Sequence, residues 1–252
     1  MTVPSLTGAV IPMPTLMLLQ SPPPEFIRSQ IQQMVIDSVT DISPVAISAD
    51  NRLYNLYQYG VGYEVHLYLN ALDGSRDVAV ELIVALDEDD PEVVLGFLLY
   101  LPVGEDPLAC SVAFMAVQEQ HRRQGIARSM LDKMRARYPH AELTCVTDKV
   151  SWFESMGFQV LGAKGPHVVM NTRDYATSGL LAVLETAHIY QSVEVRQIHA
   201  YLLKQHGEQA MIDAERDRDL RLDEMARQAE AFAARKRGTA PRLNGSHGPR
   251  TI

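Results

Sequence analysis

Cysteine is almost missing from this sequence: Cys110 and Cys145 are the two present in 252 residues. Two thiols make no disulfide framework, and these lack metal-ligand spacing, so neither a cross-linked secreted scaffold nor a metal centre is expected. Also missing is any uninterrupted apolar run of the ~20 residues that span a bilayer. The first cation is Arg28, so the opening residues have no basic n-region of a signal peptide, and a reducing cytoplasm is the expected compartment. A basic excess is absent as well. With 23 Lys and Arg against 31 Asp and Glu, the net charge is −8, which gives no global footprint for nucleic acid and suits a cationic amine as partner.

What is present is enough for a full core. Hydrophobic residues make up 46% of the chain and charged ones 21%, the balance of an ordinary globular protein of one domain plus an extension, or of two small domains.

Residues 109–158 say most about function. They read as an apolar strand (111–117), a cationic turn Arg122-Arg123-Gln124-Gly125-Ile126-Ala127, an amphipathic helix, a second strand (142–147), and a closing Trp152-Phe153-Glu154-Ser155-Met156-Gly157-Phe158. A helix starting at about Gly125 leaves its first N–H groups without intrahelical partners, and the macrodipole adds partial positive charge there. Such an end binds anions. Gly125 and the small Ala127 let a phosphate approach the backbone, while Arg122, Arg123 and Arg128 surround it with charged donors. Ala127, Met130, Leu131 and Met134 fall at i, i+3, i+4 and i+7, which gives the helix one apolar face. Pro139 stops it by Tyr138. An ordinary basic turn before a surface helix carries the same short pattern.

Two segments in order bring a family into view. The run from Val117 through Gln118-Glu119-Gln120-His121 to Ala127 resembles the strand and Gln/Arg-x-x-Gly-x-Gly/Ala coenzyme A loop of the GCN5-related N-acetyltransferase (GNAT) family. Phe153-Glu154-Ser155-Met156-Gly157-Phe158 resembles its later Tyr-x-x-x-Gly-Phe segment. The resemblance implies acetyl-CoA as cofactor, bound through Met115, Ala116 and Val117 on the strand, Arg122, Arg123, Gln124, Gly125, Ile126, Ala127 and Arg128 on the loop, and Asp148 or Thr147 beyond the next strand. It also implies that the neighbouring strand splays away, opening a slot where thioester and amine meet.

One departure bears on mechanism. Where family enzymes commonly carry a tyrosine that protonates the departing thiolate, this chain has Phe153, which has no proton to give. A thiolate is a tolerable leaving group, since thiol pKa values lie near ~8.5. Ser151, Tyr138 and Cys145 are substitute donors, and Glu119 is a base candidate acting through water. Each has an ordinary alternative as a surface, helix-end or buried residue, so the catalytic residues stay unassigned.

The flanks complete an α+β reading: a mixed, mostly antiparallel sheet flanked by helices, with a C-terminal helical extension. Residues 16–19 form a short apolar run, and Ser21-Pro22-Pro23-Pro24 precedes a helix through Ser38 that Ser21 can cap. A short helix carries Leu53, Leu56 and Tyr57 and ends near Gly60. Tyr54, Tyr57, Tyr59 and Tyr63 cluster there, as cleft-lining or as packing residues. Tyr63, Val65, Leu67 and Leu69 alternate as a strand before the Asp73-Gly74 turn. Strands are expected at 78–86 and 93–101, joined by the acidic loop Asp87-Glu88-Asp89-Asp90, with Pro102, Gly104 and Pro107 marking the next link. After Phe158 come a short strand at Val160 and Leu161, a turn over 162–166, and a last strand, 167–170.

From Ser178 the pattern becomes helical. Leu180, Leu181, Val183 and Leu184 open one helix, Val195, Ile198 and Leu202 another, and Leu222, Met225, Ala229 and Phe232 make a heptad-like stripe within the charged stretch 213–237. That stripe suits packing on the body, self-association or a partner groove. The expected organisation is a GNAT-like domain over 1–175, a helical extension over 176–237, and a disordered tail over 238–252. Two functions fit: direct transfer of acetyl from acetyl-CoA to a primary amine of a small molecule or protein, or a non-catalytic or weakly catalytic binding protein of the same fold acting through its C-terminal helices.

Overall fold

The computed structural model describes residues 14–45, 47–177, 179 and 183–239. Residues 240–252 of the expected tail, and Leu180 and Leu181, lie outside them. In chain order the elements are β1 (Thr15–Leu19), α1 (Glu25–Asp37), α2 (Val39–Ile42), α3 (Tyr54–Ala71), β2 (Glu81–Leu86), β3 (Val94–Val103), β4 (Asp106–Val117), α4 (Ile126–Arg137), β5 (His140–Cys145), α5 (Val150–Glu154), β6 (Gln159–Lys164), β7 (His167–Asn171), α6 (Ala187–Tyr190), α7 (Val193–His206) and α8 (Glu208–Thr239). Single 3-10 turns follow β4 and β5, at Glu119–His121 and Thr147–Lys149.

The seven strands form one sheet in the order β1-β2-β3-β4-β5-β7-β6. Every pair is antiparallel except β4 with β5. That exception follows from the connection: β4 returns to β5 through α4, a crossover that a parallel pair requires. All six residues of β2 are buried, as suits a strand covered on both faces. On one face α1 and α3 supply Ile27, Ile31, Val35, Val61, Val65 and Leu69. On the other, α4 and α5 supply Ile126, Met130, Leu131, Met134 and Phe153. Full burial of one such aliphatic side chain is worth about 1.5–3 kcal/mol.

Several sequence expectations are corrected here. The alternation of Tyr63, Val65, Leu67 and Leu69 is not a strand; these residues continue α3, which runs to Ala71. The helix buries Gly60, Val61, Val65, Leu67, Tyr68, Leu69 and Ala71 among the sheet, α1, α2, α6 and α7. A helix apolar around most of its girth satisfies a two-residue and a four-residue period together, so alternation alone does not separate the two. Ser21 does not cap α1; Pro24 holds the N-cap position, with no side-chain cap. The buried stripe of α4 begins at Ile126, with Ala127 only half-buried. Pro102 and Pro107 lie within β3 and β4, at a break in the register where the ladder needs no N–H from them. Gly162 to Lys164 belong to β6.

The C-terminal region packs on the body. Val183 and Leu184 are not helical; they lie in a linker in which the Leu184 N–H donates to the Tyr68 hydroxyl, 3.3 Å away. Ser192 caps α7 by accepting from the Val195 N–H, and Gly207, at φ 82°, ends it before α8 begins. α8 lies against β6 and β7. Its stripe is taken up by the body: Ala229 is buried in the α4-side core and Phe232 packs beside it. Among the described residues no helix is long and apolar enough to cross a membrane.

Candidate functional site

The sheet parts between β4 and β5. Their pairing consists of Ala109 with His140, Cys110 with Ala141 and Ser111 with Glu142. Beyond that point residues 112–117 of β4 pair with β3 alone, and residues 143–145 of β5 with β7 alone. A bulge sets the divergence. Leu99 faces Phe114 and Tyr100 faces Val112, so Ala113 is an extra residue on β4, and a bulge bends its strand and increases its twist. The result is a slot walled by the free edge of β4, including Met115, Ala116 and Val117.

α4 starts at the open end of this slot. Gly125, its N-cap, has φ 85°, and the helix has no side-chain cap. The Gly125 carbonyl accepts the Ser129 N–H at 2.9 Å. Among the described residues no protein group accepts from the N–H of Ile126, Ala127 or Arg128. A Cβ built on Gly125 would have nothing within 4 Å, so the approach to those donors is clear. The left-handed φ of Gly125, and of Arg123 at 64°, turns the chain sharply from the 3-10 turn into the helix.

The cations of the loop have different surroundings. Arg123 is exposed and has no protein partner among the described residues. Arg128 donates to the Ser155 hydroxyl at 3.3 Å, tying α4 to the end of α5. Arg122 is turned back: its Nε donates to the Val117 carbonyl at 3.2 Å, and its guanidinium reaches the Ser38 hydroxyl and lies 3.7 Å from Asp41. Asp41 also lies 3.5 Å from Lys149. One carboxylate from α2 thus bridges the loop after β4 and the turn after β5. Sequence reading missed Asp41 and Lys149, because nothing in the local pattern says that α2 crosses the mouth of the slot.

The remaining sequence candidates are dispersed. Gln124 is exposed and its amide donates to the Gln120 carbonyl. Asp148 is exposed in the turn after β5. Glu119 is exposed in the turn after β4, and Ser151 is exposed on α5. Tyr138 stands at the closed end of the β4–β5 pair, where its hydroxyl donates to Glu81 at 3.0 Å. Burial, with the Glu81 charge, raises its pKa. Cys145 is buried, pushed up to about 12 by desolvation, and its thiol contacts the Met170 sulfur. Phe153 is a core ring, edge-on to Trp152 and Phe158 with centroids 4.7 and 5.7 Å away. His167, half-buried at the start of β7, has its pKa lowered by burial.

The tyrosines of α3 point in several directions. Tyr57 packs with Tyr190 and accepts from Arg218 at 3.0 Å; Tyr59 and Tyr63 stack on each other. Tyr54 is half-buried beside α7 and α8. The tyrosine that meets β4 is Tyr68, tilted against Phe114 at 6.2 Å.

Residues 79–160 match the family described as "Acetyltransferase (GNAT) domain". The matched stretch runs from just before β2 to the start of β6 and takes in β4, the β4–α4 turn and α5. No curated protein matches the sequence. Among solved structures, PaiA N-acetyltransferase from Thermoplasma acidophilum, in complex with coenzyme A, is 8% identical over 62% of this chain and 98% of its own, with a TM-score of 0.48. Aminoglycoside 6'-acetyltransferase type Ii is 12% identical over 65% of this chain and 99% of its own, with a TM-score of 0.46. A histone acetyltransferase HPA2-related acetyltransferase from Corynebacterium glutamicum is 14% identical over 66% and 99%, with a TM-score of 0.44.

Proposed function

We propose that this protein binds acetyl-CoA at the β4–α4 turn and transfers the acetyl group directly to a primary amine held on the α3 side of the slot. The observation that carries the reading is the uncapped N-terminus of α4, with its clear approach at Gly125, opening beside the free edge of β4. The N–H groups of Ile126, Ala127 and Arg128 suit a diphosphate, and the exposed Arg123 adds a counter-charge. The free edge at Met115, Ala116 and Val117 suits an extended arm that pairs as an added strand. Acetyl-CoA, when bound, would supply an activated acetyl thioester.

The chain's own part is then mostly positional. Holding two reactants in attack geometry contributes on the order of 7–11 kcal/mol at its best. An N–H on the edge of β4 polarises the carbonyl in the slot. Phe153 offers no proton, and the nearby ring contacts make it a packing residue, so departure of the thiolate relies on water. We take residues 1–175 as the transferase unit and the helices that follow as a brace for β6 and β7; the brace runs to Thr239, two residues into the stretch expected as a tail. A second reading, a binding protein without turnover, is favoured by Phe153 alone.

Thermal melting with acetyl-CoA and with coenzyme A, followed by thiol release with a panel of primary amines, tests this. A stabilising shift with turnover supports transfer. A shift without turnover on any amine supports the second reading, and no binding by calorimetry rejects both.

A further inference from the structure

Glu64 is an unusual acid for its place. It lies on α3 one turn from Tyr68 and one turn from Gly60, so the three share a helix face. Tyr190 of α6 presses on that face at Gly60, where a Cβ would fall 2.7 Å from the Tyr190 hydroxyl. Tyr68 stands on Phe114 of β4. Around the α3 N-terminal half, α2 packs between the helix and β4 and places Asp41 beside Arg122, just past the end of β4. Glu64 therefore lies on α3 between Tyr68, which meets β4 at Phe114, and the N-terminal half of the helix, which α2 links to β4; residues 112–117 are the stretch where β4 has left β5.

The carboxylate is half-buried, yet among the described residues no hydrogen bond or ion pair reaches it. A structural acid in such a place takes a partner, because an unpaired half-buried charge is costly. Neither of its oxygens is sealed from water, so a ligand and a departing proton both have access.

We propose that Glu64 receives the acceptor: it binds the substrate's primary ammonium group in the aromatic niche of Tyr68 and Tyr190 and takes its proton. This assignment rests on the acetyl-transfer reading above. In the balanced step, the ammonium gives one proton to the Glu64 carboxylate, and the freed nitrogen lone pair forms the new C–N bond at the thioester carbonyl. The C–S bond breaks with its electron pair on sulfur. The second proton leaving nitrogen goes by water to the thiolate, and Glu64 returns its proton to solvent.

Burial holds the Glu64 carboxyl up at about 7, a value suited to exchanging a proton near neutral pH. The other titratable groups acting with it are Tyr68, on its own helix, and Tyr190, on α6. Both are raised by burial, Tyr190 to about 12, so both are neutral when Glu64 titrates.

The test compares the full chain with Glu64→Gln and Glu64→Asp, after thermal melting has confirmed that each variant folds. Three readouts are taken: phenethylamine binding by calorimetry, coenzyme A binding by calorimetry, and kcat/KM for phenethylamine between pH 5.5 and 9 on the order of the accessible range. The expected result is unchanged coenzyme A affinity, loss of amine binding in Glu64→Gln, and a drop in kcat/KM of about 100-fold. The inflection near neutral pH also disappears, and Glu64→Asp recovers part of the rate. If Glu64→Gln binds and turns over the amine as wild type does, Glu64 is rejected while acetyl transfer stands. If wild type binds coenzyme A but turns over neither phenethylamine nor any other amine of the panel above, or binds no coenzyme A, the transfer reading falls and the assignment falls with it.

Discussion

The Asp41 carboxylate lies 3.7 Å from the Arg122 guanidinium, across the mouth of the slot between β4 and β5. It lies 3.5 Å from Lys149 as well, so a single acid from α2 bridges a cation of the loop after β4 and one of the turn after β5. All three side chains are roughly half exposed, and exposed pairs contribute at most about 1 kcal/mol to stability. The effect on an anion arriving between them is larger, because Asp41 competes for the same donors.

Asp41→Asn should therefore bind coenzyme A about three- to tenfold more tightly at low ionic strength, with little change in Tm. The gain should shrink as salt is added. Calorimetry at two salt concentrations checks this, and equal affinities for wild type and variant at both would place Asp41 outside the reach of the cofactor.

Gly125 separates space from conformation. A side chain there enters open space, but at φ 85° any L residue is strained. Gly125→Ala should lower stability by about 1 kcal/mol and keep measurable coenzyme A binding. Gly125→Glu should fold comparably yet lose the thermal shift with coenzyme A, because its carboxylate occupies the mouth of α4. Undiminished affinity in Gly125→Glu would reject the loop as the diphosphate site.

How much of this was legible in the sequence follows from how local each cause is. Gly125 and the arginines around it form a contiguous signal, and α4 ends at Arg137 because Pro139 constrains its neighbour. The slot itself is not local. It depends on an extra residue at Ala113 and on three positions that pair with residues 31 further along the chain, which no run of residues announces. α3 misled the reading because a helix buried on nearly every side carries alternation by accident. Glu64 fell inside that misread stretch. Its signal was one acid among Tyr57, Val61, Val65, Tyr68 and Leu69, readable only once the segment is drawn as a helix.

Glu81 anchors the opposite end of the sheet. It accepts from the Tyr100 hydroxyl at 2.6 Å, from Arg137 at 2.8 and 3.2 Å, and from Tyr138 at 3.0 Å. Burial alone would raise its pKa, but these donors outweigh burial and hold the carboxyl below the usual glutamate value. A group whose pKa falls on folding adds stability above its unfolded pKa, near ~4.3, and loses it as pH drops through the folded value. Glu81→Ala should cost about 2–4 kcal/mol at neutral pH, since the Tyr100 hydroxyl is left buried without an acceptor. Urea unfolding from pH 7 down to about 3 should show the wild type and variant converging as acid removes the charge. Parallel curves would mean that the cluster is held by packing instead.

The last question is whether α8 is part of the body or an arm for a partner. Its heptad-like stripe suited either from sequence alone, but Ala229 is fully buried against the core beneath β6 and β7, and Lys236 reaches Glu154 at 2.9 Å. The lysine pair is partly exposed and contributes little, so the docking rests on the buried stripe. Ala229→Asp should undock the helix, because an unpaired carboxylate there costs several kcal/mol. The expected outcome is rapid proteolysis between α7 and α8, a Tm lowered by about 5 °C or more, and coenzyme A affinity within about twofold of wild type for the protein that remains folded. An unchanged Tm and an unchanged cleavage pattern would mean that α8 does not depend on this contact, and the stripe would then be available to another chain.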